Sequence, residues 1–194
     1  MRLTEQVHHE LRQTIRPGDT VIDATAGNGH DTLAMAELVG PAGKVFAIDL
    51  QSAAITSTKV RLNEAGHLAQ CELIVGDHAE TLNTLLPSHR ASAAAITFNL
   101  GYLPGGEKEI TTSPQTTLRA LDAAKSLLKD DGLLLVTAYR GHEGGQTEAN
   151  QVENWMHALP ETVWQVEARE PPTRHLDRVP PILWLAKKLG VAAR

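Results

Sequence analysis

Short runs of apolar, often β-branched residues alternate along the chain with longer stretches whose apolar residues recur every three to four positions. This alternation is typical of a parallel β-sheet whose strands are joined by crossover helices. The apolar runs predict seven strands, over residues 20–24, 45–49, 72–76, 94–99, 133–138, 163–168 and 182–186. The longer stretches predict six helices, over residues 4–15, 30–39, 51–65, 78–86, 113–128 and 146–158.

The first and last elements of this pattern differ from the rest. Apolar residues recur every four positions from Leu3 to Ile15, so the leading helix is expected to be amphipathic and to pack on the edge of the sheet. No helix separates the last two strands, which predicts an antiparallel hairpin. The expected fold is a single α/β domain over residues 1–194, with a Rossmann-like, mostly parallel seven-stranded sheet and helices on both faces.

Composition narrows the class of protein. Hydrophobic residues make up 42% of the 194 residues and charged residues 21%, as in an ordinary folded domain. No apolar run is long enough for a membrane span, and the N-terminal segment lacks the apolar core of a secretory signal. The single cysteine, Cys71, favours a reducing compartment, so we expect a cytoplasmic protein with no membrane partner. The net charge of −5 argues against broad, non-specific coating of nucleic acid.

An unusual turn follows the first predicted strand. Asp23 ends that strand, and Gly27 and Gly29 precede the next helix. Glycine lets a backbone approach a ligand closely, and a helix N-terminus offers N–H groups to an anionic part of it. The pattern is weak by itself, since Thr32 stands where a dinucleotide fingerprint has its third glycine. Asp23 would repel a pyrophosphate, but it can accept a hydrogen bond from an ammonium group.

Two further acids stand at the carboxyl ends of the next two predicted strands. Asp49 can accept hydrogen bonds from both hydroxyls of a ribose, and Asp77 can accept one from the amino group of an adenine. The carboxyl ends of parallel strands share one edge of the sheet, where open α/β sheets bind their ligands. Three acids at this edge fit a nucleoside with a cationic tail. Each acid alone could equally be a helix N-cap or a first-turn residue.

This order of motifs resembles the class I S-adenosylmethionine-dependent methyltransferases over essentially the whole chain. The matching motifs are the glycine turn and the acid that ends the second strand. The family often has a glycine two residues after the first acid, where this chain has Thr25. The resemblance implies S-adenosyl-L-methionine as the cofactor, bound by Asp23, Gly27, Asn28, Gly29, Asp31, Thr32, Asp49, Gln51, Asp77 and His78.

A second loop rich in turn-forming residues follows the fourth strand. It covers residues 99–106 and is similar in layout to the Asn-Pro-Pro-Tyr motif of amino-methyltransferases. A methylated amine must direct its lone pair at the methyl group, so its N–H groups need fixed acceptors such as the carbonyl of Asn99. Tyr102 could stack on a planar base, and Gly101 and Pro104 are expected at the substrate. The alternative is a plain turn with an Asn cap and a core tyrosine.

Four ordered motifs together are more specific than any one of them. They lie at residues 27–32, 76–78, 99–106 and 141–145, and they resemble a small bacterial family formerly called rRNA methylases. Members of that family that resemble the tRNA wobble-uridine enzyme convert 5-aminomethyl-2-thiouridine to its methylaminomethyl form. The resemblance implies a tRNA-modifying methyltransferase, with tRNA as its partner.

Transfer to an alkyl amine requires that the amine first lose a proton. Histidine titrates near neutrality, and His30, His78 and His142 all lie in these motifs, although the sequence does not choose among them. Capping or packing is the ordinary role of a histidine, and His8 and His9 in the leading helix are expected to face solvent. No zinc-like spacing is present, so we expect no metal.

Basic residues near the expected cofactor end could contact phosphate groups of RNA. They are expected on loops and comprise Lys108, Arg140, Arg169, Arg174, His175 and Arg178. A solvated loop in which Glu170 and Asp177 balance these charges is an equally good interpretation. Trp155, Trp164 and Trp184 are expected in the core or at the contact of a homodimer.

Several alternatives stay open. The acceptor could be another RNA base amine, for example in rRNA, or a small molecule. An NAD-dependent oxidoreductase on a Rossmann sheet is disfavoured by Asp23 and by the missing third glycine. A non-catalytic cofactor-binding module is disfavoured by the loop at residues 99–106. The leading prediction is methyl transfer from S-adenosyl-L-methionine to an amine of RNA.

Overall fold

The computed structural model describes residues 2–101, 113–141, 144–171 and 179–190. The strands in these ranges are β1 (Thr20–Asp23), β2 (Lys44–Asp49), β3 (Cys71–Val75), β4 (Ala93–Leu100), β5 (Leu128–Ala138), β6 (Trp164–Arg169) and β7 (Ile182–Lys188). The helices are α1 (Leu3–Thr14), α2 (His30–Val39), α3 (Ser52–Glu64), α4 (His78–His89), α5 (Pro114–Leu127) and α6 (Gly145–His157).

The strands form one sheet in the order β3-β2-β1-β4-β5-β7-β6. The first five strands pair in parallel, and β7 runs antiparallel to both of its neighbours, β5 and β6. The expected fold class, including the final hairpin, is confirmed. Strand order reverses between β1 and β4, which is where an open α/β sheet forms its binding crevice.

Alternate side chains of the central strands enter two separate hydrophobic cores, because successive residues of a strand point to opposite faces. Val21 and Leu135 pack with residues of α1, α2 and α3, whereas Ile22 and Leu134 pack with residues of α4, α5 and α6. The sheet is therefore covered on both faces. Its central strands read as continuous apolar runs for this reason.

Helix α1 lies across the middle of the sheet, so the predicted position at the edge was wrong. It contacts β4, β5 and α2, and it buries Leu3, Val7 and Leu11. The apolar stripe shows that one face of a helix is covered, but it does not identify the strands that cover it. Arg169 is the last residue of β6 and not part of a loop, and its Nη1 donates to Oε1 of Glu10 in α1 at 2.7 Å.

Strand β5 begins five residues earlier than the apolar run that predicted it, at residue 128 and not at 133. Its first part pairs Leu128 with Ala93, and the register then shifts before Leu133 pairs with Ala95. Asp131, within the irregular part, has a φ of 62°. Polar residues at this irregularity interrupt the apolar pattern, so the pattern did not predict the first part of the strand.

Helix α3 holds the glycine turn that follows β1. Gly29 has a φ of 78°, and a Cβ at this position would lie 2.8 Å from the Cα of Thr58. The Thr58 hydroxyl donates to the carbonyl of Gly27 at 3.1 Å, and Nε of Arg61 donates to the carbonyl of Asn28 at 2.7 Å. The turn is thereby fixed by side chains about thirty residues further along the chain.

The close approach of Gly29 to Thr58 predicts different losses of stability for two glycine-to-alanine substitutions. Gly66 has a similar φ of 76°, but a Cβ added there would meet none of the described residues within 4 Å. A left-handed φ alone should lower the free energy of unfolding of Gly66→Ala and Gly29→Ala by about 1–2 kcal/mol. The contact with Thr58 should lower that of Gly29→Ala by a further ~1–3 kcal/mol. Equal losses of the two variants in urea denaturation would contradict the close approach.

Candidate active site

Asp23 ends β1 directly beneath the crevice, and only 1% of its surface is exposed. Its Oδ2 accepts a hydrogen bond from the hydroxyl of Thr32 at 2.6 Å. Its Oδ1 accepts from the hydroxyl of Thr97 and from the backbone N–H of Thr25, each at 3.3 Å. One carboxylate thus joins β1 to the first turn of α2, to β4 and to the glycine turn.

Two of the predicted cofactor residues are buried. Thr32 is fully buried and its hydroxyl donates to Asp23, so it supports that carboxylate, and its contact with a cofactor stays a prediction. Asp23 is almost fully buried as well, and its contact with a cationic ligand also stays a prediction. The sequence pattern contains no information on the depth of either residue.

The ionisation of Asp23 is unusual for a carboxyl group. Burial is the main cause that raises its pKa to about 7, and the negative charge of Asp31 acts in the same direction, against the opposing effect of its three hydrogen bonds. Near neutral pH the group is therefore only partly ionised. A cation bound nearby would favour the ionised form.

Asp49, at the end of β2, fastens the glycine turn from the other side. Its Oδ2 accepts from the backbone N–H of Gly27, and its Oδ1 accepts from that of Gln51, each at 2.9 Å. The N–H of Gly27 is thus used within the protein. Each carboxylate oxygen keeps a further lone pair for a hydroxyl donor. The predicted role of Asp49 towards a ribose fits this arrangement.

Asp77 is the N-cap of α4, as the simpler interpretation of this acid proposed. Its Oδ1 accepts from the backbone N–H groups of Ala79 and Glu80, at 2.9 and 3.1 Å. Its Oδ2 accepts no hydrogen bond from the residues that the structure describes. Capping by one oxygen therefore leaves the other for a ligand.

Two exposed apolar side chains accompany these acids at the same edge of the sheet. Leu50 follows Asp49 and is 56% exposed, and Val75 ends β3 and is 55% exposed. The two strand ends are adjacent, because Asp49 pairs with Val75 in the sheet. Neither apolar residue was predicted from the sequence. The signal that could have indicated them is an apolar residue close to the acid at a strand end.

The first turn of α2 makes a contact that the sequence did not indicate. Nε2 of His8 in α1 lies 2.7 Å from Oδ1 of Asp31, and the two side chains are 24% and 18% exposed. The prediction that His8 faces solvent was wrong, since α1 crosses the sheet next to α2. His9 is exposed, as expected. Tyr139, after β5, has a pKa raised by burial and then by the charge of Asp31, which places it near the same carboxylate.

Asn99 lies near the end of β4 and is exposed. Its backbone N–H donates to the hydroxyl of Thr25 at 2.6 Å, which joins the end of β4 to the glycine turn. Gly101 follows with a φ of 143°, a conformation that favours glycine. The structure therefore brings Asn99 to the crevice formed by β1 and β4. The predicted residues Tyr102, Pro104, Lys108, His142, Arg174, His175 and Arg178 lie outside the described residues.

The two described histidines of the motifs have different surroundings. His30 begins α2 and is exposed, and its Nε2 accepts from Nη2 of Arg61 at 3.3 Å. His78 begins α4 and is 7% exposed, and its Nε2 has no hydrogen-bond partner among the residues described. Burial is the main cause that lowers the pKa of His78, which favours the neutral form of its ring. Its ring meets that of Phe98 edge to face, at 5.8 Å between centroids.

Arg140 was expected to contact a phosphate group, but its guanidinium is engaged within the chain. Nε donates to the carbonyl of Pro180 at 2.7 Å, and Nη2 donates to Oε1 of Glu170 at 2.6 Å. Its side chain is 18% exposed. Arg140 thus fastens the segment after β5 to the connection between β6 and β7. Of the two interpretations given for the basic residues, phosphate contact or charge balance by nearby acids, the pairing with Glu170 favours charge balance for Arg140.

None of the helices in the ranges that the structure describes is both long and apolar enough to cross a membrane. The His, Cys, Asp and Glu side chains in the same ranges form no group of three or more that could hold a metal ion.

Comparison with known proteins places this site in a family. The model of the family described as "Putative rRNA methylase" matches residues 45–186 of the chain. The chain belongs to this family. The match includes Asp49, Asp77 and Asn99, and the family expected from the sequence motifs is confirmed.

The family relationship extends to curated and solved proteins. The chain is 42% identical over 170 residues to an Arabidopsis thaliana protein named tRNA (mnm(5)s(2)U34)-methyltransferase, chloroplastic. The alignment covers 84% of the chain but only 62% of that relative's length. A protein from Clostridium thermocellum described as a "putative rRNA-methylase" is 33% identical, with a TM-score of 0.87 and coverage of 96% of this chain and 97% of that one.

A second similar solved protein carries a ligand. It is a Streptococcus mutans protein described as a "putative methyltransferase", solved in complex with SAH. It is 31% identical to the chain, with a TM-score of 0.84 and coverage of 97% of this chain and 99% of that one. The class I methyltransferase fold expected for the chain is thereby confirmed.

The raised pKa of Asp23 predicts that this residue lowers the stability of the unliganded protein at high pH. The unfolded group ionises near its ordinary pKa of 3.8 and the folded group near 7, so the folded state binds more protons between these values and stability falls as pH rises through them. Asp23→Asn can keep all three hydrogen bonds, because its amide can donate to the hydroxyl of Thr32. Its advantage over wild type in free energy of unfolding should grow by ~1–3 kcal/mol from pH 5 to pH 8. Urea denaturation at both pH values measures this difference, and an advantage that is independent of pH would contradict the raised pKa.

Proposed function

We propose that the protein transfers a methyl group from S-adenosyl-L-methionine to an amine of RNA, namely the aminomethyl group of 5-aminomethyl-2-thiouridine at the wobble position of tRNA. The observation that carries the proposal is the hydrogen bond that joins the glycine turn after β1 to the exposed Asn99 near the end of β4, at one crevice of the sheet. The Arabidopsis relative, which is named for this tRNA position, supports the choice of substrate.

The described residues fit the cofactor by the chemistry of their donors and acceptors. Asp49 would accept from the ribose hydroxyls, and Oδ2 of Asp77 from the adenine amino group. Leu50 and Val75 expose apolar surface between these acids, which suits the faces of an adenine. No described side chain caps the first turn of α2, whose N–H groups suit a carboxylate. The charge of Asp23 suits the cationic end.

The acceptor would be held by the loop after β4. S-adenosyl-L-methionine supplies an electrophilic methyl group when it is bound. The side-chain carbonyl of Asn99 would accept an N–H of the amine and so direct its lone pair towards that methyl group. Holding the two groups in line is the main contribution that such a site can make.

The acceptor amine must also lose a proton before attack. Nε2 of His30 already accepts a hydrogen bond from Arg61, and His78 is buried away from the crevice surface. We therefore propose that His78 positions the cofactor end of the site in its neutral form. Proton acceptance would fall to His142, the remaining histidine of the motifs, or to solvent.

A second substrate has one specific observation in its favour. The family description names rRNA, so an amine of rRNA is the alternative acceptor. The net charge of −5 and the internal ion pairs of Arg140 and Arg169 favour a small RNA contact over an extended one. Lys108, Arg174 and Arg178 stay the proposed phosphate contacts.

The cellular location and the oligomeric state of the protein are also proposals. A cytoplasmic location rests on the single cysteine, and the Arabidopsis relative is named as chloroplastic. A homodimer would use a surface other than the tryptophans, because Trp164 and Trp184 are 4% and 3% exposed within the chain's own core and Nε1 of Trp155 donates to Asp122. Light scattering of the purified protein measures the oligomeric state.

Cofactor binding is tested with S-adenosylhomocysteine by titration calorimetry. Wild-type protein should bind it, and Asp49→Ala should weaken binding by at least about tenfold, because one hydrogen-bonded carboxylate and a support of the glycine turn are both lost. Glu72→Ala, which removes an exposed acid of β3, should leave the affinity unchanged. Absence of binding to wild type would refute the proposed cofactor.

Methyl transfer is tested by incubating bulk tRNA and rRNA, separately, with labelled cofactor and analysing the nucleosides. Label should appear in the methylaminomethyl nucleoside of tRNA. Asn99→Ala should lower kcat by roughly 100-fold while S-adenosylhomocysteine still binds, because only the acceptor loses a contact. Label in rRNA alone would support the alternative acceptor, and full turnover by Asn99→Ala would show that the acceptor is held elsewhere.

A further inference from the structure

The two strands that border the crevice separate just above Asp23. β1 and β4 pair in parallel as far as Asp23 and Thr97, and the last backbone hydrogen bond between them runs from Ala24 N–H to the carbonyl of Thr97 at 2.9 Å. The chain after β1 then bends towards β2, where the N–H of Ala26 donates to the carbonyl of Ile48 at 2.8 Å. β4 continues alone on this side.

The separation leaves one backbone donor of β4 without its usual partner. Asn99 is still paired with Thr137 of β5 on its other side. On the side of β1 its N–H no longer faces a backbone carbonyl of that strand. The hydroxyl of Thr25 accepts this N–H at 2.6 Å, so a side chain replaces the missing rung of the sheet.

Thr25 is itself anchored independently of this bond. Its backbone N–H donates to Oδ1 of Asp23, and the turn that follows it is held by Asp49, Thr58 and Arg61. The Thr25–Asn99 hydrogen bond therefore connects two bodies. One is the glycine turn with its supports, and the other is the end of β4 with its exposed amide.

We propose that Thr25 is a positioning residue for methyl transfer, whose hydroxyl sets the distance between the cofactor held by the glycine turn and the acceptor held by Asn99. This inference rests on the proposed function. The glycine that many class I methyltransferases have at this place offers no such acceptor, so the bond is a feature of chains with a hydroxyl at position 25.

The position predicts a specific kinetic signature. The supports of the glycine turn do not pass through the Thr25 hydroxyl, so its loss should leave cofactor affinity unchanged. The register of Asn99 towards the turn should relax, and in-line transfer is sensitive to shifts of about 1 Å. The effect should therefore appear in kcat.

The test compares Thr25→Val, which has nearly the same shape but no hydroxyl, with Thr25→Ser, which keeps the hydroxyl. We expect Thr25→Val to lower kcat for tRNA by roughly 10- to 100-fold, and Thr25→Ser to recover it to within about threefold of wild type. The affinity of both variants for S-adenosylhomocysteine should stay within about threefold of wild type. Thr56→Val, at an exposed position of α3, is the matched control and should behave as wild type.

Amide hydrogen exchange of Asn99 gives a second measurement that does not depend on activity. Exchange should be slow in wild type and Thr25→Ser and faster in Thr25→Val, because the valine leaves the N–H without an acceptor. Unchanged kcat in Thr25→Val, a parallel loss of cofactor affinity, or a Thr25→Ser variant as slow as Thr25→Val would overturn the proposal. A wild-type protein that protects Asn99 through Thr25 but methylates no RNA would overturn the proposed function, and with it the role of the bond in catalysis.

Discussion

A buried carboxylate at the end of the first strand organises this molecule. Asp23 accepts hydrogen bonds from the first turn of α2, from β4 and from the glycine turn, so it holds together three segments that meet where the strand order reverses. The negative charge has a cost, since burial raises the pKa of the group to about 7. A positive charge placed near this carboxylate would offset part of that cost, because it favours the ionised form.

Much of the fold was predictable because it depends on local patterns. The strands, the final hairpin and the glycine turn follow from apolar periodicity and turn-forming residues. The capping role of Asp77 is local too, since its partners are two and three residues away. The bounds of α2 agree with the prediction, whereas the start of β5 was missed because polar residues interrupt its apolar run.

The contacts that refine the site could not be predicted in this way, because they join residues that are distant in sequence. His8 meets Asp31 across 23 residues, Arg61 meets Asn28 across 33, and Asn99 meets Thr25 across 74. A pattern of residue types also does not show how deeply a side chain is buried. The structure shows that Thr32 and Asp23 are buried and that the guanidinium of Arg140 is paired with Glu170.

The position of α1 on β4 and β5 has a consequence for the order in which the chain can fold. This helix precedes all the described strands in sequence, yet it rests on β4, which ends at Leu100, and on β5, which ends at Ala138. Until that point Leu3, Val7 and Leu11 lack β5, one of the strands that α1 contacts. β5 in turn pairs with β7, the last strand. Native packing of α1 must therefore wait for β5, and a chain released before that strand is made would expose part of the apolar face of the helix.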